Sequence, residues 1–138
     1  MSHLKSKSEF NLDAAEVLID RHSYYAPSVH CSYYGCFQYI ISKLNMIGIT
    51  YEKIDNDISA SRGTNRILNS HTYPVKLILD EMETTTDIFY RKKVKDKIKL
   101  LKAFRITSDY RNEDVNHSKS TEALRLSKEI ISLINNKL

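Results

Sequence analysis

Between Asp87 and Tyr110 the chain runs without a single glycine or proline, and its apolar residues return at helical intervals. Tyr90, Val94, Ile98, Leu101 and Phe104 fall on one side of a helical wheel. Lys92, Lys95, Lys99 and Lys102 fall on the other, at spacings of three, four and three. A strand would alternate in twos, so the period selects a helix. A helix with one apolar stripe must bury that stripe, and a chain with no strand pattern must do so against other helices. The lysine stripe opposite reads as a solvated face.

The rest of the chain follows the same outline. Three glycines and two prolines in 138 residues leave long uninterrupted segments, which argues for helices rather than a turn-rich β protein. A first helix is expected from about Asn11, a good N-cap, to His22, with Ala14, Val17, Leu18 and His22 facing inward. A second has Pro27 in its first turn, carries Tyr33, Phe37, Ile40, Leu44 and Ile47, and stops at Gly48. Residues 48–70 are polar and aperiodic, and read as a long connection with one short helical turn. A third helix starts between Ser70 and Pro74 and covers Val75, Ile78, Leu79 and Met82. The fourth is the 87–110 segment, capped by Asp87. The fifth is expected after Ser118 or Ser120, with Ala123, Leu126, Ile130 and Ile134 in one row. The fold class is therefore all-α: an up-and-down bundle of four to five helices, in a single domain spanning 1–138.

Composition narrows function less than fold. The net charge of +4 is compatible with an anionic partner without demanding one. Cys31 and Cys36 have the wrong spacing for a CxxC pair and read as free thiols of a reducing cytoplasm. No apolar run approaches the ~18–20 residues of a membrane span, so a soluble cytoplasmic chain with no membrane partner is expected. None of the five histidines follows a glutamate at the Glu-x-x-His spacing of a di-iron bundle, and no HExxH, P-loop or GxSxG occurs. No metal site and no cofactor are expected.

Two arginines close the 87–110 helix. Arg105 points with Val94, Ile98 and Leu101 toward the interior, and Asp109, one turn later, is its expected partner in a structural pair. Arg111 opens the stretch Arg111-Asn112-Glu113-Asp114-Val115-Asn116-His117, which sets a permanent cation near an imidazole between two helices. Such a combination can grip a phosphate and move a proton beside it. His3, His22, His30 and His71 read as ordinary surface or core residues.

Several of these segments together resemble the HEPN domains (higher eukaryotes and prokaryotes nucleotide-binding), over most of the chain from Asn11 to Asn135. Ser32-Tyr33-Tyr34-Gly35-Cys36-Phe37 is similar to a small-Tyr-Tyr-small-x-Phe run of that family, and Ser70-His71 opens the third helix in a like manner. Arg105-Ile106-Thr107-Ser108-Asp109-Tyr110 resembles an Arg-x-x-small-Asp-Tyr signature of small bacterial members. Arg111-Asn112 followed by His117 matches the nuclease pattern of arginine, a polar residue, and histidine after four to six residues. The resemblance implies a metal-independent endoribonuclease with Arg111, Asn112 and His117 as catalytic residues. It implies a homodimer in which two Arg–His pairs share a cleft, with RNA as substrate. Lys102, Tyr110 and Lys119 are the expected RNA- or nucleotide-binding residues, and Tyr24 and Tyr25 are further stacking candidates. The family also suggests the toxin of a toxin–antitoxin pair with a minimal nucleotidyltransferase antitoxin. The alternative is a non-catalytic nucleotide- or partner-binding helical module associated with a nucleotidyltransferase.

Overall fold

Helix α2 (Tyr25–Met46) is the axis about which the other elements are arranged, in a computed structural model that describes residues 3–138. It packs against α1 (His3–His22), α4 (Tyr73–Met82), α5 (Ile88–Tyr110) and α6 (His117–Asn135). With α3 (Tyr51–Ser61) there are six helices, and no strand occurs among the described residues. The expected stripe of α2 is present: Tyr33, Ile40 and Leu44 are buried, with Phe37 and Ile47 packed against them. Because neighbours approach from several sides, Val29, Ser32, Gly35, Cys36 and Ile41 are buried as well. Burying each large aliphatic side chain of this core stabilises the fold by roughly 1.5–3 kcal/mol before entropy is counted.

Helix α1 begins well before Asn11, and its inner face is not the one expected. Ser8, Ala15 and Ile19 are buried, whereas Val17 is 41% exposed and His22 is exposed. The cause is a close approach to α2. The Ser8 hydroxyl donates to the Gly35 carbonyl at 2.5 Å, and the Ser28 hydroxyl donates to the Ala15 carbonyl at 3.1 Å. A Cβ at Gly35 would lie 2.8 Å from Leu12 Cδ2 and 3.3 Å from the Ser8 carbonyl oxygen. Small residues therefore set the rotation of α1, overriding its aliphatic pattern. Gly35→Val is expected to lower stability by about 1–3 kcal/mol by overpacking this contact. An unfolding midpoint in urea unchanged from that of the wild type would contradict it.

The polar stretch 48–70 holds a full helix rather than one turn. Thr50 caps α3 by accepting from the Lys53 N–H at 3.2 Å. Ile54 is buried, and the Tyr73 hydroxyl donates to Asp57 at 2.6 Å. Gly48 and Gly63, at φ +99° and +81°, supply the left-handed turns on either side. Helix α4 has Pro74 in its first turn, and Asp87 caps α5 by accepting from the Tyr90 N–H at 2.8 Å, both as expected. Val94, Ile98 and Leu101 of α5 meet Ala123, Leu126, Ile130 and Ile134 of α6 in one core cluster. Among the described residues no helix is long and apolar enough to cross a membrane.

Candidate functional site

Helix α5 ends where Arg111 turns extended (φ −96°, ψ 145°), its N–H still donating to the Thr107 carbonyl at 3.2 Å. The chain re-enters helix at His117, the first residue of α6 and earlier than Ser118 or Ser120. Asn116 rather than a serine is the cap: its side chain accepts from the Lys119 N–H at 2.9 Å. Ser120 is buried instead, donating to the His117 carbonyl at 2.8 Å. Between the helices, Val115 packs against the core cluster and pins the connection just before the Asn116 cap.

Arg111, Asn112 and His117 are all exposed, at the two ends of this short pinned connection. The His117 ring meets Tyr25 edge-on, with centroids 5.7 Å apart. No hydrogen bond or ion pair joins Arg111 to His117 among the described residues, and no carboxylate claims Arg111. A cleft of about 200 Å³ opens against the same connection, lined by Phe104, Thr107, Ser108, Glu113, Val115 and Lys119 but by none of the three. Of the expected binding residues, Lys119 is therefore here. Lys102 belongs to a different groove, and Tyr110 is 72% exposed but leans over Arg105.

Arg105 is turned inward, 8% exposed, with its guanidinium carbon 4.8 Å from the Tyr33 ring centre, 5.8 Å from Tyr34 and 5.7 Å from Tyr110. Its Nη1 is 3.7 Å from the Asp109 carboxylate, close enough for an ion pair but too long for a hydrogen bond. The shorter contact to Asp109 comes from His30 Nδ1 at 2.9 Å, across 79 positions of sequence. The arginine thus sits in a cage of three tyrosine rings, where cation–π contacts stand in for part of its lost hydration. Burial pushes the Tyr33 hydroxyl up to about 12, despite the opposing pull of Arg105, so Tyr33 stays neutral. Burial likewise raises the Cys36 thiol to about 12 and keeps it inert.

A second concavity, about 430 Å³, runs between α4 and α5. Val75, Leu79 and Ile98 floor it, and Lys76, Lys95, Lys99 and Lys102 stand at its edges. The lysine stripe of α5 is thus one wall of a groove rather than a uniformly solvated face. At the inner end lies His71, its ring 5.3 Å from Phe37 and its Nδ1 buried without a partner. Desolvation, followed by the nearby charges of Arg105 and Lys102, holds His71 below the usual histidine value. The unfolded chain therefore takes up this proton first as pH falls. Stability is expected to decline as pH drops below about 6.5, and His71→Gln should flatten that slope. Urea titrations from neutral to mildly acidic pH would show it, and parallel slopes in both proteins would contradict it.

Among the described residues no group of three or more His, Cys, Asp or Glu side chains is placed to hold a metal ion. Comparisons with protein-family models, with curated proteins and with solved structures each gave no match to this chain.

Proposed function

We propose that this chain is a metal-independent endoribonuclease of HEPN type, working as a homodimer through Arg111, Asn112 and His117. The observation that carries the reading is the contrast between the two arginines at the end of α5. Arg105 is buried in the interior, whereas Arg111 is exposed and has no ion-pair partner among the described residues, with an exposed histidine opening the next helix six positions on. Such an arginine can take two phosphate oxygens in a bidentate contact. The first turn of α6 adds backbone N–H groups and a favourable dipole for an anion.

In the proposed reaction the ribose 2′-hydroxyl attacks the adjacent phosphorus. The bond to the 5′-oxygen breaks, leaving a 2′,3′-cyclic phosphate and a 5′-hydroxyl. One imidazole removes the 2′ proton and another protonates the leaving oxygen, which is why the reading requires two copies of His117. Arg111 stabilises the charge that develops on the non-bridging oxygens, and Asn112 orients the phosphate or the imidazole. Lys119 lines the neighbouring cleft, and its proposed role is to hold a flanking phosphate. The biological setting proposed with it is a toxin restrained by a minimal nucleotidyltransferase.

A second reading, binding without cleavage, draws support from that same cleft, where Thr107, Ser108 and Lys119 offer hydroxyl and ammonium groups to a nucleotide. Single-stranded RNA incubated with the purified protein in excess chelator separates the two. Cleavage that disappears in Arg111→Ala and His117→Ala supports the nuclease, and retention of intact RNA selects the binding module.

A further inference from the structure

The groove between α4 and α5 has a complement on the same molecule. On the outer face of α1, Glu9, Asp13, Glu16 and Asp20 form a line of exposed carboxylates at spacings of four, three and four. No cation stands within ion-pair distance of any of them among the described residues. Beside that line on the helix surface are Phe10, 70% exposed, and Val17, 41% exposed. Helical spacing puts Phe10 and Val17 two turns apart on one flank. The result is an acidic amphipathic ridge directed away from its own bundle.

The groove presents the inverse. Lys92, Lys95, Lys99 and Lys102 line one wall at spacings of three, four and three. Lys92 pairs with Asp96 at 2.9 Å, but Lys95, Lys99 and Lys102 have no ion-pair partner among the described residues. From Lys92 to Lys102 the row is about 15 Å long at 1.5 Å per residue, and from Glu9 to Asp20 the carboxylate row is about 16 Å. The floor of Val75, Leu79 and Ile98 is aliphatic, which suits Phe10 and Val17. Of its aromatic lining residues, Tyr33 is 4% exposed and His71 is half-buried at the inner end, so no exposed ring stands along the lysine row for single-stranded nucleic acid to stack on. An anion with one charged head would leave most of the lysine row unneutralised, whereas a carboxylate row of equal length matches it along its whole course.

We infer that the α4–α5 groove is the docking site for helix α1 of a second copy of this chain. A chain cannot fill its own groove, because its α1 is held against α2 through Ser8, Leu12 and Gly35. The donor ridge lies on a helix packed against α2 and α6, while the acceptor is walled by α4 and α5. Ridge and groove are thus separate surfaces, and the contact is head-to-tail. Repetition builds a ring or an open row of copies rather than a pair. This contact does not depend on the nuclease reading, since it involves none of Arg111, Asn112 and His117.

Charge exchange between the two faces provides the test, read by sedimentation velocity over a concentration series. The wild-type chain should form species larger than its basal assembly at ~0.1 M salt and lose them at ~1 M, where the Debye length falls from about 10 Å to about 3 Å. Lys95→Glu/Lys99→Glu and, separately, Asp13→Lys/Glu16→Lys should each raise the dissociation constant of the larger species about tenfold or more. All four substitutions combined in one chain should restore association, as should an equimolar mixture of the two doubly substituted proteins. Wild-type protein without larger species at low salt would overturn the inference. So would single-face reversals that change nothing, or combined reversals that fail to rescue. If the groove reversal abolishes binding of an RNA oligonucleotide while sedimentation stays unchanged, the groove is a nucleic-acid surface and the inference is wrong.

Discussion

His117→Ala is expected to slow RNA cleavage by about 10²–10⁴-fold, the usual contribution of a positioned acid or base. Arg111→Ala should lose about 10²–10³-fold, by analogy with removal of a donor that stabilises transition-state charge. Neither change should unfold the bundle. Both side chains are exposed, Asn116 rather than His117 caps α6, and among the described residues the one ring contact of His117 is the edge of Tyr25. Thermal and urea stability should therefore stay within about 0.5 kcal/mol of the wild type. Arg111→Lys should recover only part of the loss, because an ammonium cannot make the bidentate contact of a guanidinium. Cleavage rates of the folded variants measured on one RNA decide the matter. Wild-type rates in both alanine variants would remove these residues from the chemistry.

The second large effect concerns stability and falls on the other arginine. Arg105→Ala is expected to destabilise the fold by about 3–5 kcal/mol. It removes the guanidinium from the faces of Tyr33, Tyr34 and Tyr110 and leaves a void where α2 and α5 meet. It also removes the guanidinium 3.7 Å from the Asp109 carboxylate, so that among the described residues Asp109 keeps the His30 contact at 2.9 Å. Arg105→Met, which keeps the volume and drops the charge, should cost less than alanine, because replacing a buried ion by packed apolar groups is often tolerated. Equilibrium urea unfolding of the two variants gives the ordering. An alanine variant within 1 kcal/mol of wild type would show that the cage is not a brace.

How far the sequence could anticipate this structure depended on how local each determinant was. Helix α5 was legible from end to end because its cap, Asp87, its apolar period and its terminal Arg111 all lie within one segment. The place of Arg111 at the end of α5 was legible for the same reason, but His117 opens α6 instead of lying in the turn before it, and Asn116 took the capping role expected of a serine. Helix α1 departs from its sequence pattern at its start and in its rotation. The group that anchors it, the Ser8 hydroxyl, binds a carbonyl 27 positions away, at a glycine whose missing Cβ gives no periodic signal. Helix α3 is longer than the single turn its sequence suggests: Ile54 is its one buried large apolar residue, and Tyr73 steadies it from outside.

The electrostatic features were the least legible. The sequence pointed to Asp109 as the companion of Arg105, and they do approach each other, but His30 makes the shorter contact and only the fold brings it there. His71 carried no sequence signal beyond its position before α4, yet its Nδ1 is buried at the end of the groove. The lysine row of α5 became the wall of a groove only once α4 was set beside it. A charge stripe has no partner in its own segment to reveal what it faces.

The central proposal, that Arg111 and His117 cleave RNA without a metal, is tested most directly by the chemical ends of the products. Wild-type protein should cut single-stranded RNA in excess chelator and leave 2′,3′-cyclic phosphate and 5′-hydroxyl termini, with neither product formed by His117→Ala. Products bearing 5′-phosphates, cleavage abolished by the chelator, or the same cyclic-phosphate yield from the folded His117→Ala variant would contradict it.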